Sequence, residues 1–201
     1  MKQCWLGAII TLFACTILLC RSAFAAPPDE VAAAIQQLAH RDPQMRVLAA
    51  RDLGWWHDPR AVQPLISSLK DPVANVRIEA AIALSKIGDT RATVPMVALL
   101  RDRDNHVRWQ VVESIRRMGP PAVAPLLPLL QARDSQLRAS AVRALGLITE
   151  TRVVPALLPL LHDADALIRE EAVRGLGRSG DPRAIDPLLG MLGEKDPDVW
   201  R

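Results

Sequence analysis

The sequence predicts an all-α fold, a right-handed α-solenoid of about five two-helix repeats, and three observations carry that expectation. An Arg column runs through Arg46, Arg77, Arg108, Arg138 and Arg169. A Pro column follows it at Pro64, Pro95, Pro125, Pro155 and Pro187, and both columns advance by 30 to 32 residues. Counted from each Arg, positions +3, +4 and +7 are small or branched apolar residues, from Ala49, Ala50 and Leu53 in the first unit to Ala172, Val173 and Leu176 in the last. That spacing is one face of an α-helix. Self-similarity at one period means stacked units, each touching only its neighbours.

Residues 1–25 read as a signal peptide. Lys2 gives a positive start, Leu6 to Leu19 is a nearly unbroken apolar run, and Ala23, Phe24 and Ala25 form an A-x-A cleavage site. The expectation is export, cleavage after Ala25, and a periplasmic or secreted mature protein. The run from Trp5 to Cys20 is short for a span, which needs roughly 20 apolar residues. Phe13 before Cys15 and Leu19 before Cys20 fit a lipobox poorly, so no membrane attachment is expected after cleavage. All three cysteines, Cys4, Cys15 and Cys20, lie in this leader, which removes disulfide and thiol chemistry from the mature chain. Without Lys2 and Arg21 the formal charge falls from +3 to +1. A near-neutral domain gives no electrostatic case for nucleic acid.

Residues 26–41 form an N-terminal capping half-repeat, with Asp29 expected to cap a helix whose apolar face is Val31, Ile35 and Leu38. Five repeats follow over residues 42–195. Each first helix is expected to start at an Asp four residues before the Arg, at Asp42, Asp104, Asp134 and Asp165, where a carboxylate accepts from free amides and complements the helix dipole. Asp71 stands six before Arg77 instead, which reads as two extra residues in that turn. Gly88, Gly119 and Gly180 stand where a left-handed C-cap is wanted. His57 takes that place in the first repeat and is expected to be strained. Each column Pro is expected to open the second helix. Residues 196–201 begin a sixth repeat and stop after one turn. The end of repeat five, with Val173, Leu188 and Leu192, is thereby left uncovered, and either a continuation past Arg201 or self-association through that end is expected.

The stretch from Asp42 to Gly54, D-P-x-x-R-x-x-A-A-x-x-L-G, and that from Gly180 to Leu189, G-D-P-R-A-x-x-P-L-L, resemble short HEAT repeats of the phycobilisome-lyase type. The resemblance covers about residues 30 to 200 and implies a helical solenoid with a binding role. Its motifs build the repeat rather than a bilin site. Tetratricopeptide repeats place Trp, Gly, Tyr and Pro differently, and this chain has no Tyr. The T-P-L-H turn of ankyrin repeats is absent.

No catalytic, metal or cofactor site is expected. His40, His57, His106 and His162 fall at different repeat positions, and none is paired at i, i+3 or i+4 with His or Glu. Deoxyhypusine hydroxylases, another HEAT-repeat family, hold iron with His-Glu pairs. Here the residues after the histidines are Arg41, Asp58, Val107 and Asp163. No P-loop, nucleophile elbow or dinucleotide fingerprint is present.

The Asp and Arg columns are read either as a charged groove or as a structural ladder in which each Arg bridges to the acidic cap of an adjacent unit; the ladder comprises Asp42, Arg46, Arg77, Asp104, Arg108, Asp134, Arg138, Asp165 and Arg169. Partner-binding candidates lie on two faces. Trp109 points away from the core on the first-helix face, which Val47, Ile78 and Ile82 make apolar, and Trp55 is the surface residue of a Trp pair whose other member, Trp56, faces the core. On the second-helix face, small and weakly apolar residues including Leu99, Leu129, Pro159 and Met191 suit a peptide or a partner helix. The function that follows is an exported, non-catalytic scaffold binding a protein or peptide. The alternative is an accessory factor or lyase-like subunit that holds a small apolar ligand or cofactor for a partner enzyme.

Overall fold

A computed structural model describes residues 27–191, and the regular structure within them is entirely helical. The leader, Leu192 and residues 196–201 lie outside the described residues. Helix α1 spans Pro28–Gln37 and starts after Pro27 with no side-chain cap. Asp29 therefore does not cap it. With Glu30 it sits in the first turn, where negative charge complements the dipole. Val31 and Ala34 are buried, and Ile35 and Leu38 pack against the same core, so α1 covers one face of repeat one.

The first helices of the five repeats are α2 (Pro43–Trp56), α4 (Ala74–Ile87), α6 (Asn105–Met118), α8 (Ser135–Leu147) and α10 (Ala166–Ser179). Four start at an Asp whose carboxylate takes a first-turn amide: Asp42 from Gln44, Asp104 from His106, Asp134 from Leu137 and Asp165 from Leu167, at 2.8 to 3.1 Å. The exception is α4, whose N-cap is Val73 and carries no side-chain cap. Asp71 is not a cap displaced by a longer turn. It matches Asp102 and Asp163, each standing six before its own Arg and two before the cap position. All three accept the amide two residues on, at 2.9 Å.

Each second helix opens with a 3-10 turn rather than at its column Pro. Pro59–Ala61, Thr90–Ala92 and Pro182–Ala184 are capped by Asp58, Asp89 and Asp181, which accept from the amides of Arg60, Arg91 and Arg183. The α-helical parts are α3 (Val62–Ser68), α5 (Thr93–Ala98), α7 (Val123–Leu126), α9 (Val154–Leu157) and α11 (Ile185–Gly190). The column Pro is second or third in each, inside the first turn, where a missing N–H is tolerated. A second proline, Pro128 or Pro159, cuts α7 and α9 to four residues, and the chain continues as 3-10 turns over Leu127–Gln131 and Leu158–His162.

One continuous core runs through the stack. The +7 column, Leu53, Leu84, Ile115, Leu145 and Leu176, is fully buried, and Leu65, Met96, Leu126 and Leu157 meet it from the second helices. Burying each such side chain is worth roughly 1.5–3 kcal/mol. Neighbouring first helices approach closely at small residues. A Cβ on Gly54 would lie 2.6 Å from the Ala83 Cα, and one on Gly146 2.6 Å from the Gly175 Cα.

Helix α2 ends at His57, whose φ of 55° makes it the non-glycine residue with positive φ among the described residues. Gly88 and Gly180 fill the same place at φ 75° and 63°. The His57 ring Nδ1 lies 2.7 Å from the Trp55 carbonyl, which its N–H tautomer satisfies. A left-handed non-glycine residue costs on the order of 1 kcal/mol or more, while glycine gives back part of that through unfolded-chain entropy. His57→Gly is accordingly expected to raise the urea-unfolding free energy by about 0.5–1 kcal/mol. A net loss would mean that the bond to the Trp55 carbonyl outweighs the strain.

Candidate functional site

The Arg column lies at the first turn of each first helix and performs two jobs. One nitrogen, Nη1, always turns back to the carbonyl six residues earlier, from His40 for Arg46 to Asp163 for Arg169, at 2.6 to 2.9 Å. This ties the helix to the turn before it. The opposite edge of the guanidinium faces the next repeat. Arg46 Nε and Nη2 hold the two oxygens of Asp71 at 2.7 and 2.9 Å, and Arg77 holds Asp102 at 2.7 and 2.8 Å. Arg138 reaches Asp163 through a single 3.4 Å contact. The acceptor is thus the Asp six before the next Arg. The caps Asp42, Asp104, Asp134 and Asp165 stay on their own helices, which corrects the expectation that they receive the Arg of a neighbouring unit. Burial pushes the Asp71 and Asp102 carboxyls up, but the guanidinium hydrogen bonds and the backbone amides outweigh it, and both titrate below the ordinary aspartate value. Arg46 is held above its ordinary value by the Asp71 hydrogen bonds.

The open face of the first helices carries two adjoining clefts. One, of about 330 Å³, runs across α2, α4 and α6 and is lined by Val47, Ile78 and Ile82 with polar flanks from Glu79, His106 and Gln110. The other, of about 220 Å³, lies between α6 and α8 and is lined by Arg108, Trp109, Val112, Gln136, Ser140 and Arg143. Between them stands Trp109, 53% exposed, its ring parallel to that of His106 with centroids 6.4 Å apart. Ile78 is buried and Ile82 half-buried, so they form the floor of the first cleft rather than a projecting surface. Trp55 is 58% exposed but lies at the far end of α2, with Lys86 Nζ 5.8 Å above its ring, and lines neither cleft.

The second-helix face does not form the expected ridge. Leu99 and Met191 are buried in the core, and Leu129 is half-buried against it. Pro159 is exposed. Leu99 and Leu129 lie in the 3-10 turns that follow α5 and α7, and both pack against the core. Among the described residues no group of three or more His, Cys, Asp or Glu is placed to hold a metal ion, and no helix is long and apolar enough to cross a membrane.

Reasoning from sequence missed His106, Gln136, Ser140 and Arg143 as cleft residues. His106 lines the first cleft, and Gln136, Ser140 and Arg143 reach the second only because α8 stacks beside α6. Arg143 also pairs across to the buried Glu171 on α10, which holds its guanidinium above the ordinary value.

HEAT repeats match the sequence at residues 31–116 and 123–201. No curated protein matches it. Among solved structures, the complex of CpcE and CpcF of phycocyanin lyase from Nostoc sp. PCC7120 is similar at 25% identity and a TM-score of 0.56, over 87% of this chain and 74% of that one. The archaeal HEAT-like repeats protein from Thermococcus onnurineus NA1 is similar at 15% identity and a TM-score of 0.56, over 91% of this chain and 87% of that one. The repeat columns, the helical stack and the family match agree: this chain belongs to the HEAT-repeat family and is an α-solenoid scaffold.

Proposed function

We propose that this chain is an exported, non-catalytic scaffold that binds a segment of another protein along the first-helix face, centred on Trp109. The observation that carries the reading is the pair of open clefts on either side of the Trp109 and His106 rings. Large aromatic side chains flanked by grooves are typical anchors of protein interfaces. Polar groups line much of both clefts, which suits a peptide better than a small apolar ligand. The similar phycocyanin-lyase structure is a complex of two chains, a further precedent for this fold working through a protein partner. Export rests on the leader at residues 1–25.

A photo-crosslinking residue placed at Trp109 and, separately, at Leu129 tests this in the native cell. The expectation is a defined partner band from position 109 and none from 129, in an envelope or secreted fraction, on a chain whose N-terminus is Ala26. Crosslinks from 129 alone would move the site to the second-helix face. A chain recovered only with its leader and in the cytoplasm would remove export.

A further inference from the structure

The ladder is broken at one rung. Repeat four begins one residue early, so Arg138 follows Arg108 by 30 residues where the other spacings are 31. The acceptor column reads Asp71, Asp102, Ala132, Asp163. Ala132 otherwise occupies the acceptor position faithfully: its φ and ψ are −64° and 140°, against −60° and 142° for Asp102 and −62° and 146° for Asp163. Its carbonyl accepts Arg138 Nη1 at 2.8 Å, as the Asp102 carbonyl accepts Arg108 Nη1 at 2.6 Å. The missing piece is a carboxylate and nothing else.

Arg108 is consequently tethered through Nη1, while among the described residues its other edge meets no carboxylate. Arg108 lines the 220 Å³ cleft beside Trp109 and also a further cleft of about 160 Å³ that includes Arg101 and the cap Asp134. Asp134 is engaged by the Leu137 amide at 3.1 Å. The surroundings are basic: from Arg101 to Arg143 the chain has eight arginines and four acidic residues, and Arg101, Arg103 and Arg133 are exposed. A fixed guanidinium presents two parallel donors that match a carboxylate in a fork, and Arg46 and Arg77 hold carboxylates in that way two and one repeats earlier.

We infer that Arg108 is the receptor for an aspartate or glutamate side chain of the partner protein, which supplies in trans the rung that Ala132 omits, with the neighbouring partner residue lying over Trp109. This rests on the scaffold reading above and names the chemistry of its partner.

The test uses the purified protein and two probes, the capped tripeptides acetyl-Leu-Asp-Leu-amide and acetyl-Leu-Asn-Leu-amide, with the Arg108 Nε–H signal followed by NMR. The Asp peptide is expected to shift that signal saturably and the Asn peptide to bind at least tenfold more weakly. Ala132→Asp is expected to raise the Tm and to abolish the response, because its own carboxylate fills the fork and also meets the Asp134 amide. Arg108→Gln, which leaves no fork to fill, is followed through the Trp109 indole N–H in the same cleft and is expected to lose the preference for Asp over Asn. Equal binding of the two peptides, no response from Arg108, or an Ala132→Asp variant that still binds would overturn the inference. Partner crosslinks from position 109 that survive in Ala132→Asp would leave the scaffold standing and remove the carboxylate receptor. An Arg108 response without crosslinks would do the reverse.

Discussion

Asp102→Ala is expected to lower the unfolding free energy by about 3 kcal/mol, the range for removing one partner of a buried pair. The Arg77 and Asp102 side chains are 8% and 9% exposed, so the guanidinium left behind cannot turn to water. Arg77 is also held by the Asp71 and Pro72 carbonyls at 2.8 and 3.3 Å, which prevents it from swinging out to solvent. Asp163→Ala likewise loses the hydrogen bond from the Asp165 amide, but its link to Arg138 is a single 3.4 Å contact, so it is expected to cost less. The effect carries a pH signature. Asp102 titrates below its ordinary value of 3.8 in the folded state, so its contribution is full above about pH 4 and is lost as pH falls through the lower folded value. Wild type and variant should therefore converge in acid when compared by urea unfolding. A cost under about 1 kcal/mol that does not change with pH would mean the pair is screened as an exposed one is.

Gly146→Ala is expected to cost about 2 kcal/mol, although alanine is the better helix former. The added Cβ would meet the Gly175 Cα at 2.6 Å, and a backbone atom has no rotamer into which to retreat. Helices α8 and α10 would have to separate, losing contacts along their length and leaving space at the core. Gly175→Ala meets the Gly146 Cα at 2.9 Å and the Leu157 Cδ1 at 3.0 Å and should behave alike. Two positions further along the same helix the sign reverses. A Cβ on Gly177 has nothing within 4 Å, so Gly177→Ala is expected to gain about 0.5–1 kcal/mol from helix propensity alone. Thermal unfolding of the two single variants checks both signs. A neutral Gly146→Ala would show that α8 and α10 stand further apart than described.

Repetition made the architecture legible. The +3, +4 and +7 columns placed Leu53, Leu84, Ile115, Leu145 and Leu176 in the core because a 3.6-residue period leaves them no other face. The left-handed turn at His57 followed from its standing in a glycine column. One proline per repeat reads as the start of each second helix, whereas the structure begins those helices earlier. A proline in the first turn of a short α segment leaves the same trace, and only the Asp-capped 3-10 turns ahead of it reveal the earlier beginning. The polar ladder is visible as an Arg column, but the two Asp columns, six and four residues before it, read as one. Separated, they show the gap at Ala132, which is written in the sequence and acquires meaning only once Arg46 and Arg77 are seen holding their carboxylates across the repeat boundary. Cleft residues such as Gln136 and Ser140 left no periodic mark, since nothing in their own helix requires them.

Peptide display against the immobilised protein tests the binding face most directly. A scaffold working through Trp109 should enrich sequences that join an acidic residue to an aromatic or aliphatic one, and those sequences should lose binding to Trp109→Ala while keeping it for Leu129→Glu. Enriched peptides that bind Trp109→Ala as tightly as the wild type, or no enrichment over the blank surface, would contradict it.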